Sequence, residues 1–208
     1  MTLKAVKRIR QCQVIAIPHE KKENCVAYNI ARAAVPEIEN QEILCLPMPM
    51  TMDRKKLQDS HEKAAQVLVS CLEKGQSVGF LTLGDVTIYS TFAYVMEKVA
   101  ERGFKISMEC GVPSFCACAA KLLTPLSIGS GQLHIISASH QIEDTIDLPG
   151  TKVYMKAGRQ MGRLKELLIQ RGRQALMVEN CGMENEKVYL SLEEIPEQPG
   201  YYSLIIVP

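Results

Sequence analysis

Apolar and polar positions along this chain follow two periods, and the switches between them outline its elements. A short apolar run at 78–83, bounded by turn residues, is the pattern of a buried parallel strand. Gly84-Asp85 interrupts it at what would be the strand's carboxyl end. Ile88, Phe92, Val95, Met96 and Val99 then recur at helical spacing. Strand, tight turn and helix make half of an α/β unit, and such sheets bind ligands outside the carboxyl ends of their strands. The same residues also fit an ordinary βα loop, with an aspartate that caps it.

The rest of the pattern extends this scheme. Leu3, Val6 and Ile9 sit at three-residue spacing with no cap before them, so the chain opens as if already inside a helix. Residues 12–18 read as a strand ending in Pro18. Glu23 or Asn24 caps a helix that Val35-Pro36 ends. After a short strand at 42–46, Pro47 and Pro49 make the next segment irregular, and its methionines read as packing groups. Asp53 opens a long amphipathic helix to about Lys74, with Leu57, Ala64, Ala65, Leu68 and Leu72 inward and Gly75 closing it. Gly103 leads into a strand at 104–108. A turn then starts a small-residue helix at 115–122, with Pro113 suited to the first helical position and Ser114 offering a hydroxyl and backbone N–H.

The Gly-, Ser- and Pro-containing segment 123–131 is the best linker in the chain. It divides a first domain, 1–123, from a second, 124–208. Beyond it strands are predicted at 133–138, 152–156, 175–179, 187–191 and 201–207. They share one strong helix, 160–170, with Met161, Leu164, Leu167 and Leu168 inward. The connections within 175–191 are too brief for a parallel crossover. The expected architecture is two α/β domains, the first with a mostly parallel sheet and the second with a mixed one.

Composition narrows the function. The chain has 208 residues, 47% hydrophobic and 23% charged, and a net charge of +1. That balance provides no field to recruit nucleic acid or an anionic membrane. The longest apolar runs fall short of a bilayer span and lack signal-peptide flanks, so a cytoplasmic protein is expected. The eight cysteines, Cys12, Cys25, Cys45, Cys71, Cys110, Cys116, Cys118 and Cys181, are irregularly spaced. They read as reduced thiols; no metal and no disulfide is expected. His19, His61, His134 and His140 show no triad spacing.

Several stretches, read together and in order, resemble the tetrapyrrole (corrin/porphyrin) methylase family, closest to its precorrin-2 and cobalt-precorrin-2 C(20)-methyltransferase branch. They are Pro49-Met-Thr-Met-Asp53, Phe80-Leu-Thr-Leu-Gly-Asp-Val-Thr-Ile-Tyr-Ser-Thr-Phe92 and Gly111-Val-Pro-Ser-Phe115. In the second half they are Tyr154-Met-Lys-Ala-Gly-Arg159, Val178-Glu-Asn180 and Tyr201-Tyr-Ser-Leu-Ile-Ile-Val207. Two departures stand out. Family members usually begin with a strand and a Gly-x-Gly-Pro-Gly-Asp-Pro loop ahead of a Leu-Thr-Leu-Lys-Ala helix, whereas this sequence starts at Thr2-Leu3-Lys4-Ala5, inside that helix. The resemblance therefore implies that the first strand and the glycine-rich loop are lacking. Val86 also stands where the family more often has proline.

The resemblance implies methyl transfer from S-adenosylmethionine to a carbon of precorrin-2 or cobalt-precorrin-2 in cobalamin and porphyrin biosynthesis, in a cleft between the domains of a homodimer. Such chemistry asks mainly for alignment and desolvation, with no metal. Carried over by motif, the donor contacts are Leu83, Gly84, Asp85, Pro113, Ser114 and Met155, with Asn180 and Cys181. Asp85 and Tyr89 are candidates for a proton-accepting group. Lys156, Arg159 and Arg163 are the candidates for binding the carboxylates of the substrate. Plainer readings stand beside these: a capping carboxylate for Asp85, strand packing for Met155, and a solvated helix start for the three cations. Other members of the superfamily remain alternatives, among them uroporphyrinogen-III, diphthine and ribosomal RNA methylases, as does a non-catalytic fragment or partner subunit.

Overall fold

The computed structural model describes residues 1–139 and 142–208; His140 lies outside the described residues. The chain divides into two compact units, Met1–Val112 and Pro113–Pro208. The boundary read from the linker fell at 123/124. Compactness instead groups the small-residue helix with the second unit, because that helix packs against the last strand.

In the first unit, helix α1 (Leu3–Gln11) leads to β1 (Val14–Ile17), α2 (Val26–Ala34), β2 (Glu42–Cys45), α3 (Arg54–Glu73), β3 (Val78–Phe80) and α4 (Phe92–Glu101). The strands form a parallel sheet in the order β2-β1-β3. Central β1 is buried throughout, and its alternate side chains feed opposite faces. Ile15 and Ile17 join Ile9 of α1 and Ala27, Tyr28 and Ala31 of α2. Ala16 joins Ala64, Ala65 and Leu68 of α3 and Val95 and Val99 of α4. This is the three-layer arrangement expected for a parallel sheet, which must be covered on both sides.

Several local expectations shift. The start of α1 is capped after all: Thr2 Oγ1 accepts from the Ala5 N–H at 3.2 Å and donates to the Cys110 carbonyl at 3.1 Å. Threonine at that position is a regular cap, which apolar spacing alone does not register. A 3-10 turn at Lys22–Asn24 precedes α2, so its cap position falls on Cys25. Helix α4 begins at Phe92, and Ile88 belongs to the preceding turn, its N–H donating to the Asp85 carbonyl. Asp53 caps α3 as read, Oδ1 accepting from Lys55 and Lys56 N–H at 3.0 and 3.1 Å.

The strand expected at 104–108 does not form. Phe104 and Ile106 still pack against the same core as Val78 and Phe80, so the period-two burial is real. A strand also needs a hydrogen-bonding neighbour, and among the described residues β3 is the last strand of this sheet and pairs with β1 alone.

The second unit opens with α5 (Ser114–Lys121) and continues through β4 (Leu133–Ser137), β5 (Thr151–Met155), α6 (Met161–Gln170), β6 (Leu176–Glu179), β7 (Lys187–Tyr189) and β8 (Ser203–Val207). The sheet order is β4-β5-β8-β6-β7, with β4 and β5 parallel and the remaining pairs antiparallel. The mixed sheet follows from the short β6–β7 connection. One face packs Tyr154, Met177 and Ile205 against Met161, Leu164 and Leu168 of α6.

Lys152 is buried in this unit, 1% exposed, and its Nζ donates to the Leu148 and Gly150 carbonyls at 3.0 and 2.7 Å. Burial, with Arg173 nearby, pushes its pKa down. The amine therefore ties the 148–150 turn to the strand that follows it.

Candidate active site

In the first unit the candidate residues follow β3. The Leu81 N–H still donates to the Ala16 carbonyl at 2.9 Å, and the chain then leaves the sheet. Leu83 is exposed, and Gly84 adopts φ +79°, a left-handed conformation that suits glycine. Asp85 turns back into the protein and is 8% exposed. Its Oδ1 accepts from the Thr87 N–H at 2.8 Å and the Thr87 hydroxyl at 2.5 Å, while Oδ2 accepts from the Gly111 N–H at 2.8 Å. One carboxylate thus ties two loops together, 26 residues apart in the chain. Tyr89 stands beyond it at φ +49°, 45% exposed.

These bonds decide what Asp85 can do. The Thr87 hydroxyl, then the Thr87 and Gly111 N–H groups, hold its carboxyl below the usual aspartate range against a smaller opposing effect of burial. A carboxylate so satisfied is a weaker proton acceptor than a free one. Because the folded pKa is depressed, the stabilisation is complete above the unfolded value of about 3.9 and is lost as pH falls through the folded pKa. Asp85→Asn is therefore expected to melt below the parent at neutral pH, with the gap closing in acid. Thermal melts of both proteins from pH 7 to 3 measure this; a constant gap would remove the ionic role.

Gly111 shares the corner. A Cβ there would lie 1.9 Å from the Gly84 carbonyl oxygen and 3.3 Å from Asp85 Cα. Its φ is not positive, so the need for glycine is one of space.

In the second unit, strand register collects the candidates at one end of the sheet. Ser137 pairs with Met155, Met155 with Leu204, and Glu179 with both Ser203 and Lys187. The chain leaves β5 through Lys156 at φ +59° and leaves β6 through Asn180 at φ +54°. The Met155 carbonyl accepts from the Ala138 N–H at 2.8 Å, and the Asn180 N–H donates to the Tyr202 carbonyl at 2.9 Å. Cys181 is half-buried and its thiol hydrogen-bonds that of Cys118 on α5; burial pushes both thiols up, Cys118 strongly. Lys121 of α5 pairs with Glu186 at 2.5 Å, and Glu186 accepts from the Gly182 N–H at 2.7 Å. The 180–186 loop is thereby fastened to α5, whose first residue is Ser114 and whose cap position is Pro113. The structure thus brings Pro113, Ser114, Met155, Asn180 and Cys181 into one unit, with α5 fastened to the 180–186 loop and β5 and β6 flanking β8.

The cations differ among themselves. Lys156 and Arg159 are exposed, Arg159 in a short 3-10 turn, Gly158–Gln160. Arg163 is exposed and pairs with Glu143 at 3.1 Å and Glu166 at 3.3 Å. Exposed pairs of this kind are screened by solvent and hold only weakly, so a polycarboxylate can compete for Arg163.

The described histidines have structural settings. His61 is buried and stacks on Tyr94 at 5.1 Å, while a ring nitrogen of His134 bonds the Pro149 carbonyl. Among the described residues no group of three His, Cys, Asp or Glu could hold a metal ion. No described helix is long and apolar enough to cross a membrane.

Sequence reasoning missed Thr87, Gly111 and Glu179 as site-shaping groups. Glu179 is buried, accepting from the Gly200 N–H at 2.8 Å and the Tyr189 hydroxyl at 3.2 Å. Its signal was an acidic residue ending an otherwise apolar strand.

Comparison with known proteins places the chain. The family model described as Tetrapyrrole (Corrin/Porphyrin) Methylases matches residues 1–196. A Methanocaldococcus jannaschii protein named "Probable cobalt-precorrin-2 C(20)-methyltransferase" is 32% identical over 211 residues, covering 100% of this chain and 89% of that protein. Among solved structures, a cobalt precorrin-4 methyltransferase of cobalamin biosynthesis superposes with TM-score 0.76 at 15% identity, over 100% of this chain and 88% of its own. A Thermus thermophilus uroporphyrin-III C-methyltransferase complexed with S-adenosylhomocysteine does so with TM-score 0.68 at 15% identity, covering 100% and 90%. At these identities the structural likeness shows the fold. The family match and the relative together show that the chain belongs to the tetrapyrrole (corrin/porphyrin) methylase family and is a methyltransferase.

Proposed function

We propose that this chain transfers a methyl group from S-adenosylmethionine to carbon 20 of precorrin-2, or of cobalt-precorrin-2, in cobalamin synthesis. The observation that carries the reading is the 32% identity to a relative of that name along the whole chain. The residues fit such a donor. Gly84 and Asn180 are left-handed corners that turn the chain sharply at the ends of their strands, Gly111 leaves its corner clear of a side chain, and Met155 offers a soft, apolar surface.

When bound, S-adenosylmethionine supplies an already activated methyl group, so the protein's work is alignment and exclusion of water. Leu83 and Gly84 line the corner that Asp85 anchors. Pro113 and Ser114 at the start of α5, together with Met155, Asn180 and Cys181, contribute the second set of contacts. Lys156, Arg159 and Arg163 meet the carboxylates of the tetrapyrrole, where charge-assisted hydrogen bonds are strongest. Asp85 acts here as an anchor in preference to a base, since both of its oxygens are taken. The same reading makes the protein a cytoplasmic homodimer without a nucleic-acid partner.

The test has two steps. Titration calorimetry with S-adenosylhomocysteine is expected to show saturable binding. Incubation with S-adenosylmethionine and precorrin-2, with and without cobalt, is expected to yield a product carrying one added methyl at carbon 20, identified by mass and NMR. Absence of S-adenosylhomocysteine binding would sink the proposal, and methylation at another carbon would move it to another branch of the family.

A further inference from the structure

Glu179 has no part in the chemistry described so far, yet it is a buried carboxylate at the end of the sheet where Met155 and Asn180 emerge. It is 8% exposed and is the last residue of β6. Its two oxygens reach different elements. Oε1 accepts from the Gly200 N–H at 2.8 Å, and Oε2 accepts from the Tyr189 hydroxyl at 3.2 Å on neighbouring β7. Gly200 is shaped to this contact, since a Cβ there would sit 2.5 Å from Oε1. Ser203 Oγ, at the start of β8, donates to the Gly200 carbonyl at 2.7 Å. Two residues beyond Gly200, the Tyr202 carbonyl accepts from the Asn180 N–H at 2.9 Å.

These bonds close a ring: Glu179 holds Gly200, the 200–202 turn carries Tyr202, and Tyr202 holds the residue next to Glu179. Asn180 keeps its left-handed backbone at φ +54° inside that ring. Asparagine adopts that region more readily than other side-chain-bearing residues but still at some cost, and the surrounding bonds hold it there. Burying a carboxylate is costly unless it is well paired, so a neutral side chain would serve simple packing better at this position.

We propose that Glu179 is a positioning residue for methyl-donor binding, acting through the Gly200–Tyr202 turn to hold the Asn180 corner in its binding conformation. The inference rests on the reading of Asn180 as a donor contact. Removing the carboxylate frees the Gly200 N–H and the turn, and the corner then samples other conformations, which weakens binding by the fraction of time it is misplaced.

The test measures S-adenosylhomocysteine affinity by calorimetry, well below the melting temperature of each variant. Glu179→Ala is expected to bind at least ~10-fold more weakly. Glu179→Asp, which keeps the charge but withdraws it by one methylene, is expected to lose ~3-fold or more and stands in should the alanine variant not fold. Glu179→Gln keeps an acceptor for Gly200 and is expected to restore binding to within ~3-fold. Ile195→Ala, in the core of the same unit and outside the ring, controls for general destabilisation and is expected to leave affinity unchanged. Wild-type affinity in the Ala and Asp variants would overturn the positioning role, as would equal weakening in Ile195→Ala. If the unaltered protein does not bind, the methyl-donor reading itself fails.

Discussion

Gly111→Ala is expected to lower S-adenosylhomocysteine affinity by more than ~10-fold and to destabilise the first unit by about 2–3 kcal/mol, the upper part of the range for overpacking a close contact. The reason is geometric. The new methyl would sit 1.9 Å from the Gly84 carbonyl oxygen and 3.0 Å from its carbon. Both belong to backbone, so no side-chain rotation relieves the overlap, and one loop has to retreat. Retreat breaks the 2.8 Å bond from the Gly111 N–H to Asp85, and with it the tie between the two loops. Calorimetry and thermal melts on the same protein measure both effects. A variant that binds like the parent would show that the 111 loop takes no part in holding the donor corner.

Gly150→Ala is expected to be the most destabilising single methyl in the second unit while leaving the first unit untouched. Gly150 has φ +82°, where an L side chain costs about 1–2 kcal/mol. Its Cβ would also meet the Gln132 carbonyl oxygen at 2.3 Å. That oxygen accepts from the Thr151 N–H at 3.0 Å, the bond that starts the β4–β5 ladder, and the Gly150 carbonyl accepts from buried Lys152. Strain and overlap together come to about 3 kcal/mol, or ~6–12 °C in melting temperature for a chain of this size. Differential scanning calorimetry tests this; a shift under ~2 °C would mean that the 148–150 turn is not coupled to the sheet.

Much of the fold was legible in the sequence because its signals are local. The Asp53 cap, the apolar face of α3 and Gly75 at its end are written within one segment. The strands were placed by apolar runs with turn residues at their ends, and the mixed second sheet by the brevity of the β6–β7 link. The helix read from Ile88 began instead at Phe92, since 88–91 completes the turn that Asp85 organises. Residues 104–108 show the limit more sharply: their alternation is that of a strand and their burial agrees, yet no ladder forms on that side of β3.

The candidate site divides in the same way. Ordered motifs such as Leu83-Gly84-Asp85 and Val178-Glu179-Asn180 were visible as residue types, and they identified the family. Their partners were not. Asp85 could be read as a contact, a base or a cap, and only the structure shows that its carboxylate bonds the Gly111 N–H and ties two loops. Arg163 could be read as a substrate cation, and only its neighbours Glu143 and Glu166 show what a ligand must displace.

The sequence by itself determined the element order apart from the strand read at 104–108, the α/β class, the mixed character of the second sheet and membership of a methylase family. These depend on periodicity, turn chemistry and ordered motifs, all of which are properties of the chain read in one dimension. Tertiary structure alone decided that the 84–87 turn is tied to Gly111, that Met155 and Asn180 emerge at one end of the second sheet, and that Glu179 turns inward to hold Gly200. Each of those facts is a pairing between residues distant in the chain. The free energy of such a hydrogen bond depends on where both partners are placed and on the water excluded around them.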